Sequence, residues 1–355
     1  RELPQAALPF IPAIPENTMD LLYFGIALLV GLYLLMWSAD KFVDGSSAVA
    51  TRLGMPKLLV GIIIVGFGTS APEMLVSALA SLGGNPGIAL GNAYGSNIAN
   101  VALILGLTVI IRPIVIERNV MVREIPILLF ATLISYYLLW DGFISRPEAV
   151  FMLVLFVCIM YFSITASMRE EKRNKPCQEV LHQKQDEPEI MPMKNAVFWL
   201  LAGLILLIAS SRLLIWGAVG IATFIGISDI IIGLTIVAVG TSLPELASAI
   251  AATRKNEHAL VIGNIIGSNF FNALAVVGIA GVICPLPVEH GVIVRDMPLN
   301  IILTLSLFLF GMRVGKQHQG IISRFEGIVM LGIYGLYTAQ LVSIVLGKPL
   351  IDFLV

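Results

Sequence analysis

Charge is the scarcest ingredient of this sequence. Asp, Glu, Lys and Arg make up 13% of its 355 residues, with a net charge of −1. Soluble chains carry about 25% charged residues, so a water-soluble globular domain is excluded. The near-zero balance removes any bulk electrostatic case for nucleic-acid binding. Cysteine is also scarce: Cys158, Cys177 and Cys284 lack metal-ligand spacing, which excludes a disulfide framework or thiolate centre. The four histidines, His182, His258, His290 and His318, fall in polar loop stretches where no imidazole metal site is expected. No nucleophile stands in sequence with a matching base, so the chain is not read as an enzyme, and no cofactor is expected.

What the sequence has instead is apolar length. It is 57% hydrophobic, with a mean hydropathy of +0.92. Its charges cluster, leaving repeated windows of about 20 apolar residues, enough to cross a bilayer as a helix. Ten spans can be drawn, at 19–50, 56–82, 87–111, 124–141, 146–168, 196–226, 228–253, 258–283, 297–313 and 323–346. The expected class is an all-α polytopic membrane protein embedded in a lipid bilayer. One hydrophilic linker, 169–195, divides it into two five-helix blocks, 19–168 and 196–355. It is too short to hold a folded regulatory domain. Residues 1–18 contain Pro4, Pro9, Pro12 and Pro15, which forbid a helix there. They read as an extended N-terminal segment or a processing remnant, with Met19 just ahead of the first span.

Basic residues orient the spans, since cytoplasmic loops are enriched in Lys and Arg. With the N-terminus outside, 17 Lys and Arg lie on the linker side and four on the other, leaving Arg212 within a span. Both termini are therefore expected outside and the linker in the cytoplasm.

The two blocks are copies of one another. Gly68-Thr69-Ser70-Ala71-Pro72-Glu73 recurs 172 positions later as Gly240-Thr241-Ser242-Leu243-Pro244-Glu245. At the same offset, Gly95-Ser96-Asn97-Ile98-Ala99-Asn100 matches Gly267-Ser268-Asn269-Phe270-Phe271-Asn272. Without a gap, 68–100 and 240–272 share 12 of 33 identities, and the register extends to Gly54/Gly226 and Glu117/Glu289. An odd number of spans separates the copies, so they enter the membrane from opposite faces. Such an inverted repeat is the architecture of many secondary transporters, whose binding sites lie near the midplane at the repeat interface.

The repeated motif carries chemistry. An ionisable residue inside a span is costly and marks a functional site by default. Pro72 has no amide hydrogen, which releases the carbonyl of Gly68 from the helix ladder. Thr69 and Ser70 add hydroxyls, and Glu73 lies one turn after Thr69 on the same face. The second copy offers Thr241, Ser242, Glu245 and the carbonyl of Gly240. Ser96, Asn100, Ser268 and Asn272 stand at i, i+4 on the following helices. An oxygen-only donor set suits a hard cation such as calcium. The glutamates could equally take up protons, because burial and like charge both penalise the ionised pair. Two further pairs stay open. Asn92 and Asn264 serve either an inter-helix hydrogen bond or ion contact. Asp40 and its repeat mate Arg212 are either interfacial charges or groups facing water that moving helices expose.

These paired motifs resemble the two alpha-repeats of the cation/calcium antiporter superfamily, and most of all its sodium/calcium exchanger branch with small prokaryotic members. The resemblance covers about residues 20–346. It implies an ion site built by the second, third, seventh and eighth helices, with the first and sixth sliding to alternate access. Glu73 and Glu245 would be the shared ligands of calcium and sodium. Thr69, Ser70, Thr241 and Ser242 would add oxygens, Ser96, Asn100 and Ser268 would complete sodium sites, and the carbonyls of Gly66 and Ala238 match a further ligand position. Potassium-dependent members, and some prokaryotic ones, carry aspartate where Asn272 stands; the neutral amide lowers the negative charge of the site, which argues against potassium co-transport here. The resemblance thus implies a sodium/calcium antiporter of a bacterial-type inner membrane, with a monomer sufficient for transport. Calcium/proton exchange and a cation channel are the alternatives.

Overall fold

The computed structural model describes residues 18–84, 86–181, 191–225, 238–311, 320–347 and 350–351. Residues 1–17 of the expected N-terminal segment, 182–190 of the linker with His182, 228–237 of the seventh span, and His318 lie outside these. Among the described residues ten helical units follow in chain order: α1 Thr18–Leu53, α2 Lys57–Leu82, α3 Gly87–Ile111, α4 Val120–Leu139, α5 Arg146–Leu181, α6 Met193–Phe224, α7 (Ala238–Thr241 and Leu243–Arg254), α8 His258–Ile283, α9 Val292–Gly311 and α10 Arg324–Val345. Among the described residues nine of them are long and apolar enough to cross a membrane, α7 being the exception. His258 opens α8 rather than lying in a loop. Helix α5 also runs on to Leu181, so the first part of the hydrophilic linker is helical.

Burial sorts the helices into a centre and a periphery. The apolar windows of α3 and α8 are 72% and 89% buried, against 28% for α1, 22% for α6 and 11% for α10. Small residues explain the tight centre. A side chain on Gly263 or Gly267 of α8 would run into the carbonyls of Leu58 and Ile62 on α2. Backbones without intervening side chains approach closely, the packing mode available to helices in lipid. Outside this core α1 and α6 lie against each other. A Cβ on Gly31 would lie 2.8 Å from the Leu214 nitrogen, and one on Gly203 2.8 Å from the Phe42 nitrogen. Both residues of one contact are 172 positions from those of the other, so the packing itself obeys the repeat.

Two short antiparallel ladders stitch the halves together. Strand β1 (Ile114–Ile116) pairs with β4 (Gly320–Ile322), Ile114 opposite Ile322. Strand β2 (Phe143–Ile144) pairs with β3 (Leu286–Pro287), Ile144 opposite Leu286. Each ladder joins one strand from each half, and the two exchange roles under the repeat. The strands were not visible in the apolar pattern, being two or three residues long. Past them the repeat offset becomes 178. Ser145 and Glu148 at the start of α5 match Ser323 and Glu326 at the start of α10. Ser145 donates to Glu148 through its amide (2.8 Å) and hydroxyl (2.6 Å), and Ser323 with Glu326 forms a capping box. Reciprocal bonds of this kind satisfy the orphan amides of a helix start.

Candidate ion-binding site

The chain is helical on both sides of the two acidic motifs, but not identically. In α2 the helix passes through Pro72, just after a wide π-helical turn at Gly61–Val65. In α7 it breaks at Ser242 (φ −90°, ψ 7°), and Pro244 sits in the first turn of the new segment. Further π-helical turns hold Asn100 in α3 (Ala99–Leu105) and Asn272 in α8 (Phe271–Val276) at matching repeat positions. Such turns leave the regular i to i+4 ladder and often mark functional sites.

Most of the predicted residues meet at the crossing of α2, α3, α7 and α8. Glu73, Thr69, Ser70, Ser268 and Asn272 are fully enclosed, and Glu245, Asn100, Ser242 and Ser96 nearly so. The hydroxyl of Thr69 lies 3.1 Å from Oδ1 of Asn264 and 3.4 Å from that of Ser268, and 3.5 Å from the Gly66 carbonyl. Ser70 donates to Oε1 of Glu245 at 3.3 Å, and Ser242 reaches Ser96 at 3.5 Å. Thr241 is half-buried, and Ala238 opens α7 at the edge of the described backbone.

Oxygens remain after this bonding. Both carboxylate oxygens of Glu73, Oε2 of Glu245, Oδ1 of Asn100 and Oδ1 of Asn272 are buried without a hydrogen-bond partner. Buried polar atoms are paired in nearly all folded proteins, so such a cluster of acceptors asks for a ligand. Among the described residues no three His, Cys, Asp or Glu side chains form a metal cluster. The donor set is two carboxylates among hydroxyls, amides and carbonyls, which fits a hard cation.

Three groups have roles that motif reading left open or missed. Asn92 donates to the Glu73 carbonyl (3.2 Å) and to Ser77 (2.9 Å). Asn264 does the same for the Glu245 carbonyl (3.5 Å) and Ser248 (3.2 Å). These asparagines therefore hold the backbone of each glutamate. Asn269, which the motif contained without a role, accepts from Asn100 at 3.0 Å on Oδ1 and from Asn97 at 3.3 Å on its carbonyl. The Gly240 carbonyl, expected to stand bare, accepts a hydrogen bond from Ser211 of α6 at 3.1 Å. No periodicity pointed to Ser211.

Beside the end of α7 nearer the β1–β4 ladder, charge pins α1 to the α7–α8 turn. Lys255 reaches Asp44 at 2.8 Å and donates to the Asp40 carbonyl at 2.7 Å. Glu257 pairs with Lys57 at 2.6 Å and accepts from Ser47 at 3.1 Å. The repeat mates of Lys255 and Asp44 are Gly83 and Trp216, so the other end cannot repeat this pairing. Asp40 is thus part of a polar contact, and its mate Arg212 is half-buried.

The sodium/calcium exchanger protein family matches residues 23–165 and 195–342. The chain belongs to this family. The match spans both copies of the motif and leaves out the linker, as two homologous halves require. Its members are transporters rather than enzymes. CaxA of Alkalimonas amylolytica is 43% identical over 310 residues, covering 86% of this chain and 94% of CaxA. Inner membrane protein YrbG of Escherichia coli is 35% identical over 314 residues, covering 88% and 95%. A solved structure of the sodium-calcium exchanger NCX_Mj, soaked with sodium and strontium, superposes with a TM-score of 0.77 at 32% identity, over 90% of this chain and 99% of that one. The ten-helix arrangement of two inverted repeats is consistent with that fold, and the family member described here is a membrane protein.

Proposed function

We propose that this chain is a secondary active antiporter that exchanges sodium for calcium through one alternately exposed site, with Glu73 and Glu245 as the shared cation ligands. The observation that carries this reading is the set of enclosed, unpartnered carboxylate oxygens on Glu73 and Glu245. Two carboxylates neutralise one divalent or two monovalent ions, so the ions are alternative occupants of a single site. The empty, doubly charged site is costly to move across lipid, which couples the two fluxes.

In this reading Thr69, Ser70, Thr241, Ser242, Ser96, Asn100, Ser268 and Asn272 supply further oxygens, with the carbonyls of Gly66 and Ala238. Calcium takes about 6–8 oxygens at roughly 2.3–2.6 Å, and this set is large enough to provide them. The neutral Asn272 leaves two acids rather than three, which favours exchange without potassium. Residues 19–168 and 196–355 act as the two repeats, joined by a cytoplasmic linker at 169–195, with both termini outside. The likeness to YrbG, an inner membrane protein, supports an inner-membrane location. A monomer contains the whole site and suffices for transport.

Uptake of calcium into vesicles under separately imposed sodium, proton and potassium gradients tests the coupling. The expected result is uptake driven by sodium alone. Uptake driven by protons without sodium would assign the same glutamates to calcium/proton exchange. Calcium flux that never accumulates against its gradient would mark a channel.

A further inference from the structure

The two half-sites differ at a point the repeated sequence motif conceals. Pro244 has no amide hydrogen, so the Gly240 carbonyl, one turn earlier, loses its helical partner. A carbonyl stranded inside a membrane protein must be satisfied by a side chain, water or an ion. In α7 that partner is Ser211, whose hydroxyl donates to the Gly240 carbonyl at 3.1 Å and is buried beside it. Ile215, one turn further along α6, fills the space in front of Gly240. The same helix also covers Gly68 of the first motif, but there with the apolar end of Leu204. The repeat mate of Ser211 is Ala39, which has no hydroxyl and cannot do the same for Gly68. Helix α6 thus lies along both motifs and makes this hydrogen bond to the second one.

We propose that Ser211 is a positioning residue that withholds the Gly240 carbonyl from the transported cation and ties the break in α7 to α6. The site is left with unequal halves: α6 engages the Gly240 carbonyl with a hydroxyl, whereas it offers Gly68 only the apolar end of Leu204. Calcium, which needs more oxygens than sodium does, loses more from this. Ser211 therefore keeps calcium binding weak enough for release. It also couples any shift of α6 to the backbone next to Thr241. This inference rests on the exchange reading given above.

The test compares Ser211→Ala with Ser211→Thr in proteoliposomes, reading KM for calcium and maximal sodium-driven rate separately. Ser211→Ala is expected to lower the calcium KM several-fold and to slow the maximal rate. Ser211→Thr, which keeps the hydroxyl, should restore both. Unchanged constants in Ser211→Ala, or a threonine variant no better than alanine, would overturn the inference while leaving the exchange reading intact. Absence of sodium-driven calcium flux in the unaltered protein would overturn both.

Discussion

Ser70 of the first repeat donates its hydroxyl to Oε1 of Glu245 in the second, across 3.3 Å and 175 positions of sequence. That contact joins the two copies of the motif in one enclosed site. It also leaves Oε2 of Glu245 and both carboxylate oxygens of Glu73 without partners.

The scaffold behind the glutamates is open to test. Asn92 bonds the Glu73 carbonyl and Ser77, away from the carboxylate itself. Removing one partner of a buried hydrogen bond costs about 1–3 kcal/mol. Asn92→Ala is expected to lower the thermal midpoint of the purified protein and to weaken calcium binding. A variant with unchanged calcium affinity would show that Glu73 does not depend on this brace.

Close approach of α2 and α8 gives a second prediction. At Gly267 a methyl group would overlap the backbone of Ile62. Overpacking typically costs about 1–3 kcal/mol. Gly267→Ala should push the helices apart, destabilise the protein by about that amount and separate Thr69 from Ser268. Thermal unfolding in detergent and calcium binding would both report the change. Wild-type values in the two assays would contradict the packing described.

The polar contact at the end of α7 predicts a charge-swap result. Lys255 and Asp44 are 30% and 41% exposed, so their bond is worth only about 0.2–1 kcal/mol to stability. Its larger effect is on where α1 sits. Lys255→Glu places a third acid against Asp40 and Asp44 and should loosen α1 from the α7–α8 turn, raising the labelling rate of a cysteine at Ser47. Adding Asp44→Lys should bring labelling back toward the unaltered rate. Equal labelling in all three proteins would exclude a role for the pair in holding α1.

Much of this was legible in the sequence because the repeat is long and unbroken. An ungapped offset of 172 across Glu73/Glu245 and Asn100/Asn272, with an odd number of spans between the copies, points to opposite orientation and to the crossing where the motifs meet. The span limits followed from apolar length, and the structure moves most ends by only a few residues. What stayed hidden depends on contacts between distant segments. The β1–β4 and β2–β3 ladders are too short to leave an alternating pattern, and they link different halves. The π-helical turns at Asn100 and Asn272 have no composition of their own. The bond from Ser211 to Gly240 breaks the repeat symmetry, so matching the two copies could only have obscured it.

The central claim is that Glu73 and Glu245 carry both ions in turn. Its most direct test is sodium-driven calcium uptake by proteoliposomes containing Glu73→Gln or Glu245→Gln, with correct folding checked by thermal unfolding. Either substitution keeps the size of the side chain and removes its charge, so folded protein with no sodium-dependent calcium flux is the predicted result. Full flux in either variant would contradict the shared site.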